Sequence, residues 1–298
     1  MEFSQSRQAA TRFDHLAEAG STNDVLVSHA TGLDAGAWPD FSVIVTDNQT
    51  SGRGRLGRVW QAPSGKSLAI SVLLRPTGLT PNAFGWFPLL AGAAMTRAAR
   101  GIVEDALQSG GSARLAGASR VAGALGASRA GETPLREEEN PSHDVSLKWP
   151  NDVLIDGYKV SGILCELLSD GRGLVIGAGV NVSLDEHDLP TVTSTSLLLA
   201  TNGPVDPDAV LVRYLTELRT LTDAFIASGG DAVASGSLAA VTELCGTLGS
   251  HVRVELPGGE DLLGVATGLD PQGRLIVADE ATAEARFVAA GDVTHLRY

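Results

Sequence analysis

The segments SVIVT (Ser42–Thr46) and SLAISVLL (Ser67–Leu74) read as two buried strands, and the loop between them carries what no sheet interior can hold. Within it, GRGRLGRVW (residues 52–60) places three arginines inside six positions and interleaves three glycines. Guanidinium groups so close repel one another, and each glycine loses backbone entropy when the loop orders. A structural connection rarely needs both. A loop that wraps an anion does: glycines expose backbone N–H groups, and arginines add charge and forked donors. The simpler reading of the loop alone is a solvated basic segment, of the Arg/Gly type that touches RNA phosphates.

The surrounding pattern is α+β. Residues 87–106 carry small and apolar side chains at helical spacing and few breakers, which predicts a helix. From about 108 to 143 the composition turns to Gly, Ala, Ser and Arg, which predicts a surface insertion with no assigned role. Strands are predicted at 145–148, 153–155 and 158–167, the last two flanking the hairpin dipeptide Asp156-Gly157. In LVIGAGVNV (residues 174–182) the glycines leave room for a ligand or another backbone to approach. Residues 208–227 form an amphipathic helix with Leu211, Leu215, Leu218, Leu221 and Phe225 on one face. After residue 247 short strands alternate with turns, so a boundary is expected near 242–250, dividing the chain into residues 1–245 and a small all-β module, 246–298.

Charge narrows the partners. The 35 acidic residues outnumber the 22 basic ones, a net charge of −13, which argues against extended nucleic-acid binding but leaves room for a small basic pocket. No apolar stretch approaches the roughly 20 residues of a membrane-spanning helix, and the first twenty residues lack a signal-peptide core. Cys165 and Cys245 are too few for a disulfide framework or a cysteine zinc site, so the cytoplasm is the expected compartment.

Three further segments carry chemistry-bearing residues. KWPND (residues 148–152) delivers a cation, an aromatic ring and a rigid turn, then an amide and a carboxylate; an Asx-type turn would explain it as well. In KVSGILCE (residues 159–166) strand alternation puts Lys159, Ser161 and Ile163 on one face and Val160 and Gly162 on the other, unless a bulge intervenes. A lysine at a strand start is ordinarily solvated; after the KWPND turn and a hairpin, this one points back toward that turn. Ser21, Thr22 and Asn23 precede a short helical stretch that capping alone would explain, and Gln49 says little by itself.

Taken together and in order, STN at residues 21–23, Gln49, GRGRxGRxW, KWPND, KxxGIL and GxGxN resemble the landmarks of the biotin–protein ligases. The resemblance covers about residues 20–199 apart from the insertion. It implies a mixed-sheet catalytic domain with packed helices, followed by a small SH3-like β-barrel. It also implies two reactions: biotin attacks the α-phosphate of ATP to give biotinyl-adenylate, and a lysine of a biotin carboxyl carrier protein domain then displaces AMP.

Carried over by resemblance, the catalytic residues are Arg55, Lys159 and Asp152. The biotin-binding set is Ser21, Thr22, Asn23, Gln49, Gly52, Arg53, Gly54, Arg55, Trp60, Lys159 and Gly162. The ATP-binding set is Arg53, Arg55, Arg58, Asn151, Asp152, Lys159 and Asn181, with Asp152 toward Mg2+ and residues 193–199 ordering over adenine. Some members carry an N-terminal DNA-binding domain; with twenty residues ahead of Ser21, no DNA or repressor role is expected. A monomer or a homodimer is expected. The alternatives are a lipoate or octanoate transferase of related fold and a non-catalytic RNA-binding module.

Overall fold

The computed structural model describes residues 1–60, 62–124 and 142–296. The chain opens with α1 (Ser6–Ala9), β1 (Arg12–His15), α2 (Thr22–Thr31) and β2 (Ser42–Thr46). The arginine loop contains β3 (Gly52–Arg53) and β4 (Val59–Trp60), and β5 (Ser67–Leu74) and α3 (Phe87–Ala124) follow. Next come β6 (Val145–Lys148), β7 (Asp152–Ile155), β8 (Tyr158–Leu167), β9 (Leu174–Asn181), α4 (Leu197–Thr201), α5 (Pro207–Ala227) and α6 (Ser237–Leu244). The last strands are β10 (His251–Glu255), β11 (Asp261–Leu269), β12 (Leu275–Asp279), β13 (Ala285–Val288) and β14 (Asp292–His295).

Seven strands form one sheet in the order β1-β2-β5-β9-β8-β7-β6, with β1 and β2 parallel and the other neighbours antiparallel. Alternation decides its two faces. Val43, Val45, Leu68, Ile70, Val72, Ile176 and Val180 point into the main core with α3 and α5, including the predicted α5 stripe from Leu211 to Phe225. Ile44, Leu73 and Val175 point the other way and pack with Leu26, Ala30 and Trp38, so α2 covers only one end of that face. Beyond α2 the same face carries Ala69, Ser71, Gly177, Gly179 and Gly162, whose small side chains leave a shallow floor.

The C-terminal sheet is antiparallel throughout, in the order β13-β12-β11-β10-β14. Its inward valines and leucines join the main core. Two tryptophans hold its β11–β12 turn: Trp86 Nε1 donates to Pro271 O at 3.0 Å and Trp149 Nε1 to Gly273 O at 3.1 Å. The contact fixes the sheet beside the KWPND turn.

One sequence expectation needs correction, and three others gain detail. The helix predicted over 87–106 runs on to Ala124, because the Gly/Ala-rich stretch keeps enough alanine to continue a helix already anchored in the core; residues 125–141 of the predicted insertion lie outside the described residues. The segment expected to order over adenine begins as a loop but becomes α4 at Leu197, which is fully buried. The β7–β8 register shifts between Val153 and Leu154, a bulge that breaks plain alternation in β8. Finally, the β9 glycines leave room as expected: Gly177 and Gly179 line a cavity and let side chains approach closely, so that a Cβ on Gly177 would stand 2.5 Å from Asn23 Oδ1 and one on Gly179 2.5 Å from the Trp60 indole. At the hairpin, Asp156 (φ 52) and Gly157 (φ 81) make the expected turn with two positive φ angles.

Candidate active site

The small-residue floor, the arginine loop and the C-terminal sheet enclose a cavity of about 780 Å³, within the range of small-molecule sites. One end is a neutral cradle. Ser21 caps α2 by accepting from Asp24 N at 3.4 Å. Gln49 Oε1 accepts from Thr22 N at 3.0 Å and from Thr22 Oγ1 at 3.3 Å. Ser71 Oγ, buried in β5, donates to Asn23 Oδ1 at 2.6 Å and lies 2.8 Å from Thr22 Oγ1. Capping accounts for Ser21, while Thr22 and Asn23 are ordered by the sheet beneath them.

The arginine loop closes on itself through Gly52 opposite Trp60 and Arg53 opposite Val59. Each arginine meets a protein partner. Arg53 Nη2 pairs with Asp24 and with Glu166 Oε1 at 3.1 Å. Arg55 donates to Asn151 Oδ1 at 2.9 Å and to Gly291 O at 3.2 Å. Arg58 pairs with Asp292 of the C-terminal sheet. Trp60 lies across Gly162 and Gly179, and its Nε1 is buried with no hydrogen-bond partner among the described residues.

Two lysines face these arginines. Lys159 Nζ sits 2.7 Å from Asp152 Oδ1 and 5.9 Å from the Trp60 ring centroid. The bulge turns Lys159 onto the face of Gly162, so a Cβ there would stand 3.1 Å from Lys159 Cε and Nζ; without the bulge the two would lie on opposite faces. Its backbone is held by the 193–195 loop, through Lys159 N to Thr193 O at 2.8 Å and Thr195 N to Lys159 O at 2.9 Å. Lys148, at the end of β6, lines the same cavity. Asn151 donates to Ile163 O at 2.7 Å and Asn181 to Thr195 O at 2.9 Å, so both amides brace backbone as well as border the cavity.

The electrostatics follow from crowding cations under partial burial. Burial, opposed by Asp292 and Asp152, pulls the Arg55 guanidinium below its ordinary value. Burial likewise lowers the Lys148 ammonium, with Asp152 and Asp292 opposing and Lys159 and Arg58 reinforcing. The hydrogen bond that Arg58 donates to Asp292 raises the Arg58 guanidinium. For Asp292, burial pushes the carboxyl up, but Arg58, Lys148 and Arg55 together hold it below the usual carboxylate range. The site is short of negative charge, as an anion-binding site must be.

Of the residues singled out from the sequence, Ser21, Thr22, Asn23, Gln49, Arg53, Gly54, Arg55, Arg58, Trp60, Asn151, Asp152, Lys159, Gly162 and Asn181 all line this cavity. Gly52 does not; it packs against Gln49 and the Trp60 carbonyl and borders a second cavity of about 1490 Å³ that shares Arg53, Gly54, Arg55 and Asn151 with the first. Sequence reading left Lys148 out of the residue sets although its KWPND motif was in hand. Asp292, Thr294 and His295 had no local signal, since β14 reaches the cavity only through tertiary packing. Among the described residues no group of three or more His, Cys, Asp or Glu side chains could hold a metal ion, and no helix is long and apolar enough to cross a membrane.

Comparison with known proteins agrees with this geometry. The Biotin/lipoate A/B protein ligase family matches residues 20–182, and the Biotin protein ligase C terminal domain matches residues 247–296. A biotin–[acetyl-CoA-carboxylase] ligase of Mycobacterium tuberculosis is 31% identical over 287 residues, covering 96% of this chain and 90% of that protein. A second, from Paracoccus denitrificans, is 29% identical over 89% of this chain and 94% of that one. In fold, the chain is similar to a biotin protein ligase from Aquifex aeolicus in complex with biotin and ATP, with a TM-score of 0.69 at 24% identity, covering 97% of this chain and 100% of that one. The chain belongs to the Biotin/lipoate A/B protein ligase family, with the C-terminal domain of the biotin protein ligases.

Proposed function

We propose that this protein activates biotin with ATP and transfers the biotinyl group to a lysine of a biotin carboxyl carrier protein domain. One observation carries the reading. Arg55 and Arg58 from the loop, Lys148 from β6 and Lys159 from β8 line a single cavity whose other end is the neutral cradle of Ser21, Thr22, Asn23 and Gln49. An uncharged ureido ring needs such donors and acceptors when buried, while a carboxylate and a triphosphate held side by side need cations between them.

In the first step a biotin carboxylate oxygen attacks the α-phosphorus, the bond to the β-phosphate breaks, and pyrophosphate leaves. Arg55 and Lys159 stabilise the charge that accumulates on the transferring group, an effect largest in the transition state. Arg58, Lys148, Asn151 and Asn181 suit the nucleotide end. In the second step the carrier lysine attacks the acyl carbon, the bond to phosphate breaks, AMP leaves, and the new amide nitrogen gives up a proton. Gly54 and Trp60 enclose the ligand, and excluding water protects the mixed anhydride.

A magnesium ion fits the donor chemistry. Such ions are commonly held by one or two carboxylates together with substrate phosphates, and Asp152, whose Oδ1 lies 2.7 Å from Lys159 Nζ, brings a carboxylate to the cavity wall. Bound there, the ion would neutralise phosphate charge. Neither Cys165 nor Cys245 is bonded, which suits a reducing compartment such as the cytoplasm.

The family includes lipoate ligases, but an aliphatic acyl chain makes no use of the Thr22–Gln49 cradle. The test is incubation with labelled biotin, ATP, magnesium and an apo carrier domain, with lipoate and a lipoyl domain in parallel. Label on the biotin carrier is expected. Transfer of lipoate instead, or label on neither carrier, overturns the proposal.

A further inference from the structure

We propose that Glu166 and Asp24 are positioning residues that anchor the arginine loop over the biotin end of the cavity by gripping one corner of the Arg53 guanidinium. The proposal rests on the ligase reading above and deepens it. Among the described residues the side-chain hydrogen bonds of Arg53 run through Nη2: to Asp24 Oδ1, to Glu166 Oε1 at 3.1 Å and to Glu166 Oε2 at 3.2 Å. Among the described residues Nε and Nη1 make none, so the grip leaves donors for a ligand anion.

Both anchors stand on rigid supports. Glu166 lies on β8, paired with Val175 of β9, and Asp24 lies in the first turn of α2. Glu166 Oε1 also accepts from Asn23 Nδ2 at 2.9 Å, and Asn23 is tied through Ser71 to Thr22 and Gln49. One run of hydrogen bonds therefore joins the loop arginine to the neutral cradle, and the ordering of either is felt by the other.

Two opposed effects decide the sign. The carboxylates repel an incoming carboxylate, which weakens binding. They also restrain a glycine-rich loop that would otherwise have to order when the ligand arrives. Arg53 and Asp24 side chains are 48% and 59% exposed, so solvent and salt screen the repulsion. Fixing the backbone of several loop residues is the larger effect, and anchoring wins.

The test uses Glu166→Gln, Asp24→Asn and the double variant of the full chain, each first compared with the parent in thermal melting. Without any ligand, trypsin cleavage after Arg53, Arg55 and Arg58 is followed by mass spectrometry; calorimetry then measures biotin affinity, and kinetics measure KM for ATP. The double variant is expected to be cut in the loop, and to lose biotin affinity, by about tenfold each, with a smaller rise in KM for ATP and Glu166→Asp partly restoring affinity. Cleavage at the parental rate overturns the anchor. Faster cleavage with unchanged or tighter biotin binding also overturns it, because the pair would then be a competitor. A parent that takes up no biotin sinks the ligase reading, and the ligand-free trypsin result then decides the anchor alone.

Discussion

Lys159 reaches Asp152 at 2.7 Å only because the β8 bulge turns it onto the face of Gly162. A methyl group at position 162 would stand 3.1 Å from Lys159 Cε and Nζ and 3.5 Å from Trp60. Gly162→Ala is therefore expected to push the ammonium aside and slow adenylate formation about tenfold, with little change in melting temperature, since displacement of a charged group by a few tenths of an ångström costs alignment rather than fold. Biotin-dependent pyrophosphate release without a carrier measures it; a parental rate refutes it.

Removing the charge outright is the harsher test. Lys159→Ala and Arg55→Ala are each expected to lower adenylate formation by about 100- to 1000-fold, the scale of losing one preorganised electrostatic donor. Both variants are expected to remain folded, because neither side chain belongs to the hydrophobic core. Activity within tenfold of the parent in either variant would remove that residue from the catalytic assignment.

Lys148 sets an expectation for pH. Burial among other cations lowers its ammonium from the ordinary lysine value, so its charge is lost at a lower pH than a solvated lysine's. Adenylate formation should accordingly fall on the alkaline side before pH reaches about 10.4, the solvated lysine value. Lys148→Arg keeps the charge at all these pH values. That variant should retain activity further into alkali, and an unmoved alkaline limb would count against the assignment.

Asp292 binds the C-terminal sheet to the loop through Arg58, which is 61% exposed in its side chain. Asp292→Asn is expected to raise KM for ATP roughly fivefold with a smaller effect on KM for biotin, as a partly exposed ion pair is worth about 1 kcal/mol or less. Steady-state kinetics with each substrate varied separate the two. An effect confined to biotin would contradict the arrangement.

Asp208 tests stability away from the site. It is buried at the start of α5 and accepts from Ser6 Oγ at 2.5 Å, from Ser6 N at 3.0 Å and from Gln5 N at 2.9 Å. Burial pushes its carboxyl up, but those hydrogen bonds outweigh it and hold the group below the usual range. A carboxyl depressed in the folded state stabilises above its unfolded value, near 3.9, and that contribution disappears as pH falls through the folded value. Asp208→Ala should cost about 1–3 kcal/mol at neutral pH by leaving buried donors unpaired, and the gap to the parent should narrow in acid. Denaturant unfolding at both pH values checks it; a gap that widens in acid would reverse the sign.

Much of this protein was legible from local pattern. The strands around Val43 and Ile70, the Asp156-Gly157 turn and the α5 stripe follow from periodicity and turn chemistry, which act over a few neighbouring residues, and the motifs from Ser21 to Asn181 were recognised by their resemblance to a family. Relations between distant segments were not legible. Lys159 shares a face with Gly162 because a bulge consumes one residue, and alternation alone predicts the opposite. The small residues of β5, β8 and β9 became a cavity floor, approached by Trp60 and Asn23, only once the strands had paired. Asp292, nearly 240 positions from Arg53, entered the site because Trp86 and Trp149 hold the C-terminal sheet beside the KWPND turn. Local propensity specifies the pieces, and packing, which depends on every other piece, decides which charges meet.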